Sequence, residues 1–361
     1  MAIYAISLTV GDNTMDVAIL ALPYCAASSV HGLLDILTTA NYCHGLAHNR
    51  DLPVLFNLHV VTPEDQPVRA YNGSAIVPTC RREDLEPDLV VVASAIEVAG
   101  SPRILDQQLG AHETVHTWLR ARAKAGTILA TACTGSFLLA EAGLLEDKTV
   151  TTHWRSAEHF RHRYPGIHLE PDRMLIDNGN VISAGGATAF IDLSFHLIER
   201  FGGSALASAC AKLHVFDHIR QDQAPYRMFA GHRSHTDERI KQAQDWIERH
   251  YAEDFAIDEV ADRVGLGART FKRRFREATG ETPIGYLQQV RIEAAKHLLE
   301  TTRQTLSEVI WASGYEDVSS FRRLFKRTVG CTMEQYRKRF SYVVPAEMRV
   351  GAIHKAQTMA G

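Results

Sequence analysis

The sequence predicts two units of different fold class, an α/β unit built on a parallel sheet and an all-α unit after it. Between about residues 16 and 203, strand and helix signals alternate, which favours a parallel sheet covered by helices on both faces. From about residue 236 to 340 the signals are helical, and two segments there match at an offset of 49 to 50 residues. A chain of 361 residues is long enough for both units.

The elements of the first unit follow from short apolar runs and the residues that end them. Pro23 ends the first run, and Gly126 ends a helix before the fourth strand. The Asn-Gly-Asn tripeptide at 178–180 predicts a hairpin turn. The predicted strands cover 17–22, 55–61, 89–93, 127–131 and 150–152, and the predicted helices cover 28–41, 112–124, 187–200 and 204–220.

One strand-to-helix junction in this unit carries a cysteine. Cys133 follows strand 127–131 and opens the next helix, and His153 follows strand 150–152. A residue at such a tight turn is held exposed, and the N-terminus of a helix lowers the pKa of a thiol and attracts anions. The carboxyl ends of parallel strands are where α/β sheets bind ligands, so we expect a pocket at this edge.

The second unit contains a repeated pair of helices, at residues 257–280 and 306–330. In each copy a short apolar helix ends at a glycine, Gly265 or Gly314, because glycine accepts a left-handed conformation. A second helix then carries two phenylalanines four residues apart, with Lys and Arg on the opposite face. An apolar back and a cationic front are what the recognition helix of a helix-turn-helix unit requires. The copies differ by one residue, which we place in the turn.

A long helix is predicted between the two copies, over residues 283–300, with Pro283 at its start where proline is tolerated. A rigid helix there would fix the spacing of the two units and favour successive major-groove faces, ~34 Å apart.

Charge is distributed unevenly along the chain. The net charge of −3 would argue weakly against nucleic acid, but the Lys and Arg residues of the second unit are bunched on its recognition helices. One cluster comprises Arg269, Lys272, Arg273, Arg274 and Arg276, and the other comprises Arg322, Arg323, Lys326 and Arg327.

Several protein classes are disfavoured by composition. Apolar residues make up 45% and charged residues 22%, which is typical of a globular chain. None of the six cysteines forms a CxxC pair, so neither a disulfide framework nor a zinc site is indicated. The N-terminus lacks the pattern of a secretory signal, and the apolar stretches are too short to span a bilayer. We therefore expect a cytoplasmic protein without membrane contact.

The second unit resembles the DNA-binding domain of the AraC/XylS family over about 105 residues. The resemblance rests on the repeated units, on TPIGYLQQVRIEAAKHLLETT between them, and on SGYEDVSSFRRLFKR and MEQYRKRF. It departs at Met333, where the family commonly has proline, so the start of the last helix stays open. The resemblance implies double-stranded DNA as a partner.

By position, the resemblance also assigns residues to the DNA. The groove-facing set is Arg269, Lys272 and Arg273 in the first copy and Val318, Ser319, Ser320 and Arg323 in the second. Phosphate or surface positions fall to Arg274, Arg276, Lys326 and Arg327, and Arg322 is counted among the DNA-binding residues. Arginine recognises guanine best, whereas Ser and Val contact bases weakly, so the first copy is expected to dominate base recognition.

The first unit resembles the PfpI/ThiJ-like branch of the class I glutamine amidotransferase-like superfamily, which has a flavodoxin-like sheet. The residues that carry the resemblance are TACTGSFLLAEAGLL around Cys133, TTHW around His153 and SAGGATAFIDL at 183–193. The order of the two units resembles the GlxA-type regulators over roughly 320 residues. This implies a homodimeric transcription activator, working with RNA polymerase, for a catabolic operon of the amino acid or quaternary amine class.

Three roles for the first unit stay open. Cys133 and His153 supply two of the three groups of a cysteine enzyme. The carboxylate that approaches the cysteine in enzymes of this branch aligns with Ser29, and residues 25–29 contain no acid. We therefore favour a non-catalytic pocket for a small-molecule effector, with no cofactor. A cysteine-dependent hydrolase or glyoxalase-like enzyme is the alternative, and a structural or dimerising role is the third. The pocket would be lined by Tyr24, Cys25, Ser28, Ser29, Ala95, Cys133, Thr134, His153 and Trp154.

Two further patterns occur in the sequence. His112 to His116 match the HExxH zinc-protease pattern, with both imidazoles expected on one face of a helix. We reject a metal site because a solvated helix of a covered sheet offers no cleft and no third ligand is evident. Pro225 and Gly231 in a polar stretch mark a linker. The expected domains are 1–220 and 236–341, with a linker at 221–235 and a tail at 342–361.

Overall fold

The computed structural model describes residues 14–47, 53–95, 105–106, 109–217, 220–229 and 231–341. The chain divides into two compact units, and the division falls between Gln223 and Ala224. That division lies inside the segment 221–235 predicted as a linker, but the residues on both sides of it are packed, each within its own unit. Gln223 and Pro225 are both buried.

The first unit is an α/β sandwich around a six-stranded sheet in the order β2-β1-β5-β6-β10-β9. Five of these strands are parallel, and β9 is an antiparallel edge strand that forms the predicted hairpin with β10. The strands are β1 (Met15–Leu20), β2 (Phe56–Val61), β3 (Val68–Arg69), β4 (Ala75–Ile76), β5 (Leu89–Val92), β6 (Ile128–Ala132), β7 (Thr149–Val150), β8 (His168–Leu169), β9 (Leu175–Asp177) and β10 (Val181–Ala184). β3 pairs with β4, and β7 pairs with β8, in two small separate sheets.

Helices cover both faces of the main sheet, which confirms the predicted fold class. The described helices of this unit are α1 (Ala27–Ala47), α2 (Glu113–Lys124), α3 (Ser136–Glu141), α4 (Ala157–Arg163), α5 (Ala189–Gly202) and α6 (Ser204–Leu213). On one face, Leu20 and Val92 pack in a single core with Leu119 of α2, Phe137 of α3 and Phe160 of α4. On the other, α1, α5 and α6 pack on one another. Fully buried parallel strands explain the continuous apolar runs in the sequence.

The structure corrects three expectations for this unit. The helix predicted over 204–220 ends at Leu213, because Val215 takes a left-handed conformation at φ 51° and breaks it. The strand predicted at 150–152 is short and lies outside the main sheet. α2 is not simply solvated, since His116 is buried, and His112 is also buried and precedes the helix as its N-cap. Among the described residues, no group of three His, Cys, Asp or Glu side chains could hold a metal ion.

The second unit is all-α in its described residues. Its helices are α7 (Glu238–His250), α8 (Ile257–Arg263), α9 (Ala268–Thr279), α10 (Pro283–Thr301), α11 (Leu306–Ala312), α12 (Val318–Val329) and α13 (Met333–Phe340). The repeat corresponds to α8–α9 and α11–α12, and the turn is one residue longer in the second copy, as predicted. Met333 does not disturb α13, which starts at that residue with a capping box between Thr332 and Gln335.

Each copy of the repeat has its own hydrophobic core, and α10 contributes side chains to both cores. Tyr286 and Leu287 of α10 pack in the core of the first copy, with Phe271 and Phe275. Ile292, Ala295 and Leu299 of the same helix pack in the core of the second copy, with Phe321 and Phe325. The phenylalanine pairs are thus the buried backs of α9 and α12. No helix among the described residues is long and apolar enough to cross a membrane.

A second connection holds the two copies together near the end of α7. Arg291 of α10 donates hydrogen bonds from Nε to the Tyr251 carbonyl at 2.7 Å and from Nη2 to the Glu253 carbonyl at 3.0 Å. Its guanidinium also lies 5.1 Å from the centre of the Tyr315 ring. Gly314, which ends α11 at φ 79°, lies so close that a Cβ atom there would be 2.6 Å from the Tyr251 carbonyl oxygen. The position of the second copy relative to α7 is therefore set by close backbone contact.

Candidate effector pocket and nucleic-acid interface

Cys133 occupies a strained turn at the carboxyl end of β6. Its φ of 56° is in the left-handed region, which a residue with a Cβ adopts at a cost of about 1–3 kcal/mol. The turn continues through Thr134 and Gly135 into α3. A Cβ at Gly135 would be 2.8 Å from the Val92 carbonyl oxygen, so only glycine permits this approach to the end of β5. Strain of this kind is common at ligand sites.

Thr152 joins this turn to the segment that carries His153. The Thr152 hydroxyl donates to the Cys133 carbonyl at 3.2 Å and accepts from the Ser136 hydroxyl at 2.9 Å. His153 follows directly, and its Nδ1 accepts the backbone N–H of Arg155 at 3.1 Å. Burial, followed by the charge of Arg155, lowers the pKa of His153, so its imidazole is neutral at pH 7.

The loop after β1 lies at the same edge of the sheet. The Ala26 amide donates to the Ser94 carbonyl at 3.1 Å, and the Ser94 amide donates to the Ser29 hydroxyl at 3.2 Å. The Ser29 hydroxyl also donates to the Ala26 carbonyl at 2.8 Å. Ser29 therefore holds the ends of β1 and β5 together, and its buried side chain has a structural role.

The remaining predicted pocket residues differ in their exposure. Tyr24 is 52% exposed and adopts φ 61°. Cys25 is buried, and burial raises the pKa of its thiol to about 11, so it stays protonated. Ser28 is exposed in the first turn of α1, Ala95 and Thr134 are buried, and Trp154 is partly buried. The segments after β1, β5 and β6 meet at one edge because these strands are parallel neighbours, and Thr152 links the His153 segment to them.

Gln223 is a residue of this region that the sequence did not single out. Its side chain donates to the Thr152 carbonyl at 2.8 Å and accepts from the Trp154 amide at 3.1 Å, so it holds both neighbours of His153. The residue lies in a polar stretch between a helix and a proline. No periodicity or motif marks such a glutamine, since its partners are backbone groups distant in sequence.

In the second unit, α9 and α12 present cationic faces to solvent. On α9, Arg269, Lys272, Arg273 and Arg276 are exposed while Phe271 and Phe275 are buried. Lys272 pairs with Asp258 at 2.9 Å, and Arg273 pairs with Glu277 at 2.9 Å, both at the surface. Such exposed pairs contribute little to stability, so DNA phosphates or bases can displace them at small cost.

The surroundings of Arg274 disfavour its predicted DNA contact. Its guanidinium makes a bidentate pair with Asp237, the N-cap of α7, with N–O distances of 2.8 and 2.7 Å. Its side chain is 31% exposed, against 63% for Arg273. Arg274 thus holds α9 on α7, on the side away from the exposed front.

The first turn of α12 is polar, and several of its polar groups hydrogen-bond to one another. Asp317 caps the helix and accepts from the amides of Ser319 and Ser320 at 2.9 and 3.2 Å and from the Ser320 hydroxyl at 2.7 Å. The Ser320 hydroxyl in turn accepts from Arg323 at 3.0 Å. Val318 is partly buried, and Ser319, Arg322, Arg323, Lys326 and Arg327 are exposed. Ser319 is therefore the freer of the two serines for contact with a base.

Comparison with known proteins agrees with both units. Residues 260–339 match a helix-turn-helix domain family, and residues 54–200 match the DJ-1/PfpI family. The HTH-type transcriptional regulator CdhR of Pseudomonas aeruginosa is 30% identical over 308 residues, which cover 84% of this chain and 88% of CdhR. The chain belongs to the AraC-type transcription regulators that carry a DJ-1/PfpI domain.

Two other relatives of this regulator are also named as HTH-type transcriptional regulators. The HTH-type transcriptional regulator GbdR of Pseudomonas aeruginosa is 26% identical over 88% of this chain and 83% of GbdR. The HTH-type transcriptional regulator GlxA of Rhizobium meliloti is 26% identical over 62% of this chain and 69% of GlxA. These matches confirm the predicted resemblance and the interpretation of the chain as a DNA-binding regulator.

Proposed function

We propose that this regulator binds a small metabolite, of the amino acid or quaternary amine class, at the Cys133 edge of the first unit. In response it activates transcription of a catabolic operon. It acts as a cytoplasmic homodimer on double-stranded DNA, with RNA polymerase as a further partner, and DNA is contacted by the exposed cationic faces of α9 and α12. Family membership and the exposed basic residues support the DNA contact.

The observation that carries the metabolite site is the Thr134 hydroxyl. It is buried beside Cys133 and has no hydrogen-bond partner among the residues that the structure describes. A buried hydroxyl without a partner costs about 1–3 kcal/mol, and an acceptor on a ligand would remove that cost. The half-exposed ring of Tyr24 lies at the same edge and offers an aromatic face to a cationic amine. A carboxylate joined to a cationic amine suits this combination.

We also propose that the first unit does not convert the metabolite chemically. A cysteine hydrolase needs a thiolate, a base and an acid that orients the base. Residues 25–29 are Cys-Ala-Ala-Ser-Ser, and the Ser29 hydroxyl is engaged with Ala26 and Ser94. Because burial keeps His153 neutral, the charged histidine of a thiolate pair is also disfavoured. The enzyme alternative therefore has less support than a binding pocket.

Calorimetric titration of the full chain with glycine betaine, L-carnitine and the common amino acids tests the site. We expect at least one compound to bind, and Thr134→Val to weaken that binding about 5- to 30-fold, as expected for one lost hydrogen bond. Thr131→Val is the matched control, since its hydroxyl is also buried and without a hydrogen-bond partner in the described part of the chain but lies within β6. Equal affinity in wild type and Thr134→Val, or no binding by any compound, contradicts the site.

Cys133→Ala separates the two functions in the same preparation. A regulator keeps DNA binding and converts no metabolite before or after the substitution. Product formation that disappears in Cys133→Ala would establish the enzyme instead.

A further inference from the structure

Gln223, the last residue of the first unit, is fully buried and makes an unusually complete set of hydrogen bonds. The two N–H groups of its Nε2 are shared among the carbonyls of Thr152 at 2.8 Å, Pro171 at 3.0 Å and Arg173 at 3.0 Å. Its Oε1 accepts from the Trp154 amide at 3.1 Å. The side chain therefore fixes the backbone on both sides of His153.

The same amide is connected to the turn at Cys133 through a single residue. Thr152 gives its carbonyl to Gln223 and its hydroxyl to the carbonyl of Cys133. Gly185 leaves the space that the amide occupies, because a Cβ there would be 2.0 Å from Gln223 Nε2 and 2.6 Å from the Thr152 carbonyl oxygen. The region of the candidate pocket and Gln223 thus form one hydrogen-bonded structure.

The residues that follow Gln223 are also packed, but within the second unit. Pro225 is buried in a short 3-10 helix at Ala224–Tyr226. The Tyr226 ring lies 5.3 Å from that of Phe340 and 4.6 Å from the guanidinium of Arg339, both in α13. Ala224 lies 3.4 Å from the Cβ position of Gly330, the residue that ends α12.

No spacer residue separates these two anchors, because Gln223 and Ala224 are joined by one peptide bond. A bound molecule that shifts residues 152–154 would strain the hydrogen bonds of Gln223, whose peptide bond leads directly to Ala224 beside the Cβ position of Gly330. We infer that Gln223 is the positioning residue through which the pocket acts on the DNA-binding unit. This inference rests on the proposed function for its biological meaning, but the mechanical connection can be tested without the effector.

Hydrogen–deuterium exchange of the full chain provides that test. In Gln223→Leu we expect exchange at the Trp154 amide to rise about fivefold or more, as for one lost buried hydrogen bond. If Gln223 had only a local role, exchange would rise at the Trp154 amide and not in the second unit. Coupling also raises exchange in the second unit, at the Arg227 amide, which donates to the Ala224 carbonyl at 3.2 Å. Gly185→Ala, which displaces the same amide by steric overlap, is expected to do the same if Gln223→Leu folds poorly.

Coupling between two sites is reciprocal, so the perturbation must also pass in the other direction. Tyr226→Ala removes a contact within the second unit and is expected to raise exchange at Trp154. Gln221→Leu is the matched control, since its side chain is exposed two residues away and no change is expected in either unit. Changes confined to the unit that carries each substitution would overturn the inference. That result would leave the proposed function intact, whereas failure of metabolite binding would contradict the function and leave the coupling standing.

Discussion

Gly314→Ala is expected to lower the free energy of unfolding of the second unit by about 3 kcal/mol. Two costs add at this position. A left-handed conformation costs a residue with a Cβ about 1–2 kcal/mol, and φ is 79° here. The new Cβ would also be 2.6 Å from the Tyr251 carbonyl oxygen, and overpacking against backbone typically adds about 1–3 kcal/mol. Because this contact positions the second copy of the repeat, DNA affinity is expected to fall as well.

Gly265 is the matched control for this prediction. It holds the corresponding turn of the first copy at φ 67°, but its Cβ position meets only the end of the Arg239 side chain, at 3.7 Å. Gly265→Ala is therefore expected to cost only about 1 kcal/mol, from the backbone conformation alone. Urea unfolding measures the free energy of unfolding of both variants. The transition is followed by the fluorescence of Trp246 and Trp311, with Trp118 and Trp154 replaced by phenylalanine. Equal losses at the two glycines would show that the Tyr251 contact does not position the second copy.

Arg273→Ala and Arg274→Ala are expected to have opposite consequences although the residues are adjacent. Arg273 is exposed on the front of α9, so its loss should weaken specific DNA binding by about 1–3 kcal/mol and relax base preference. Arg274 is paired with Asp237 in a half-buried position, so its loss should lower the stability of the second unit by about 1 kcal/mol. At temperatures where both variants are folded, Arg274→Ala should bind DNA nearly as well as wild type.

Fluorescence anisotropy with a bound promoter fragment, beside thermal unfolding, separates the two effects. Ser319→Ala extends the comparison to α12, where the loss of a small hydroxyl is expected to change affinity little. A larger loss for Ser319→Ala than for Arg273→Ala would show that α12 and not α9 dominates base recognition. A loss of DNA affinity in Arg274→Ala without a loss of stability would show that Arg274 contacts DNA.

Features with a local physical cause were accessible from the sequence. The left-handed glycines, the buried phenylalanine pairs and the single extra residue in the second turn are local, and the sequence alone predicts each of them. The strand-to-helix turn at Cys133 also follows from a short pattern. Repetition strengthened the prediction of the second unit, because two matched copies with the same spacing seldom arise by chance.

Features that depend on contacts between distant residues were not accessible. Arg274 looked like its neighbours in a basic cluster, and only Asp237, 37 residues away, distinguishes it. Gln223 lies in a segment whose proline and polar composition indicate a linker, yet the hydrogen bonds of its side chain reach residues 50 to 72 positions away. The end of α6 at Leu213 is not predicted from the sequence, because a β-branched residue such as valine seldom adopts the left-handed conformation that Val215 takes.

Genome-wide footprinting of the protein expressed from its own chromosomal locus tests whether α9 directs the chain to a limited set of promoters. Wild type is predicted to occupy discrete promoter sites that respond to the metabolite found by calorimetry, and the Arg269→Ala/Arg273→Ala double variant is predicted to lose them while Arg274→Ala keeps them. Unchanged site occupancy in the double variant, or uniform occupancy of the genome by wild type, would contradict the account.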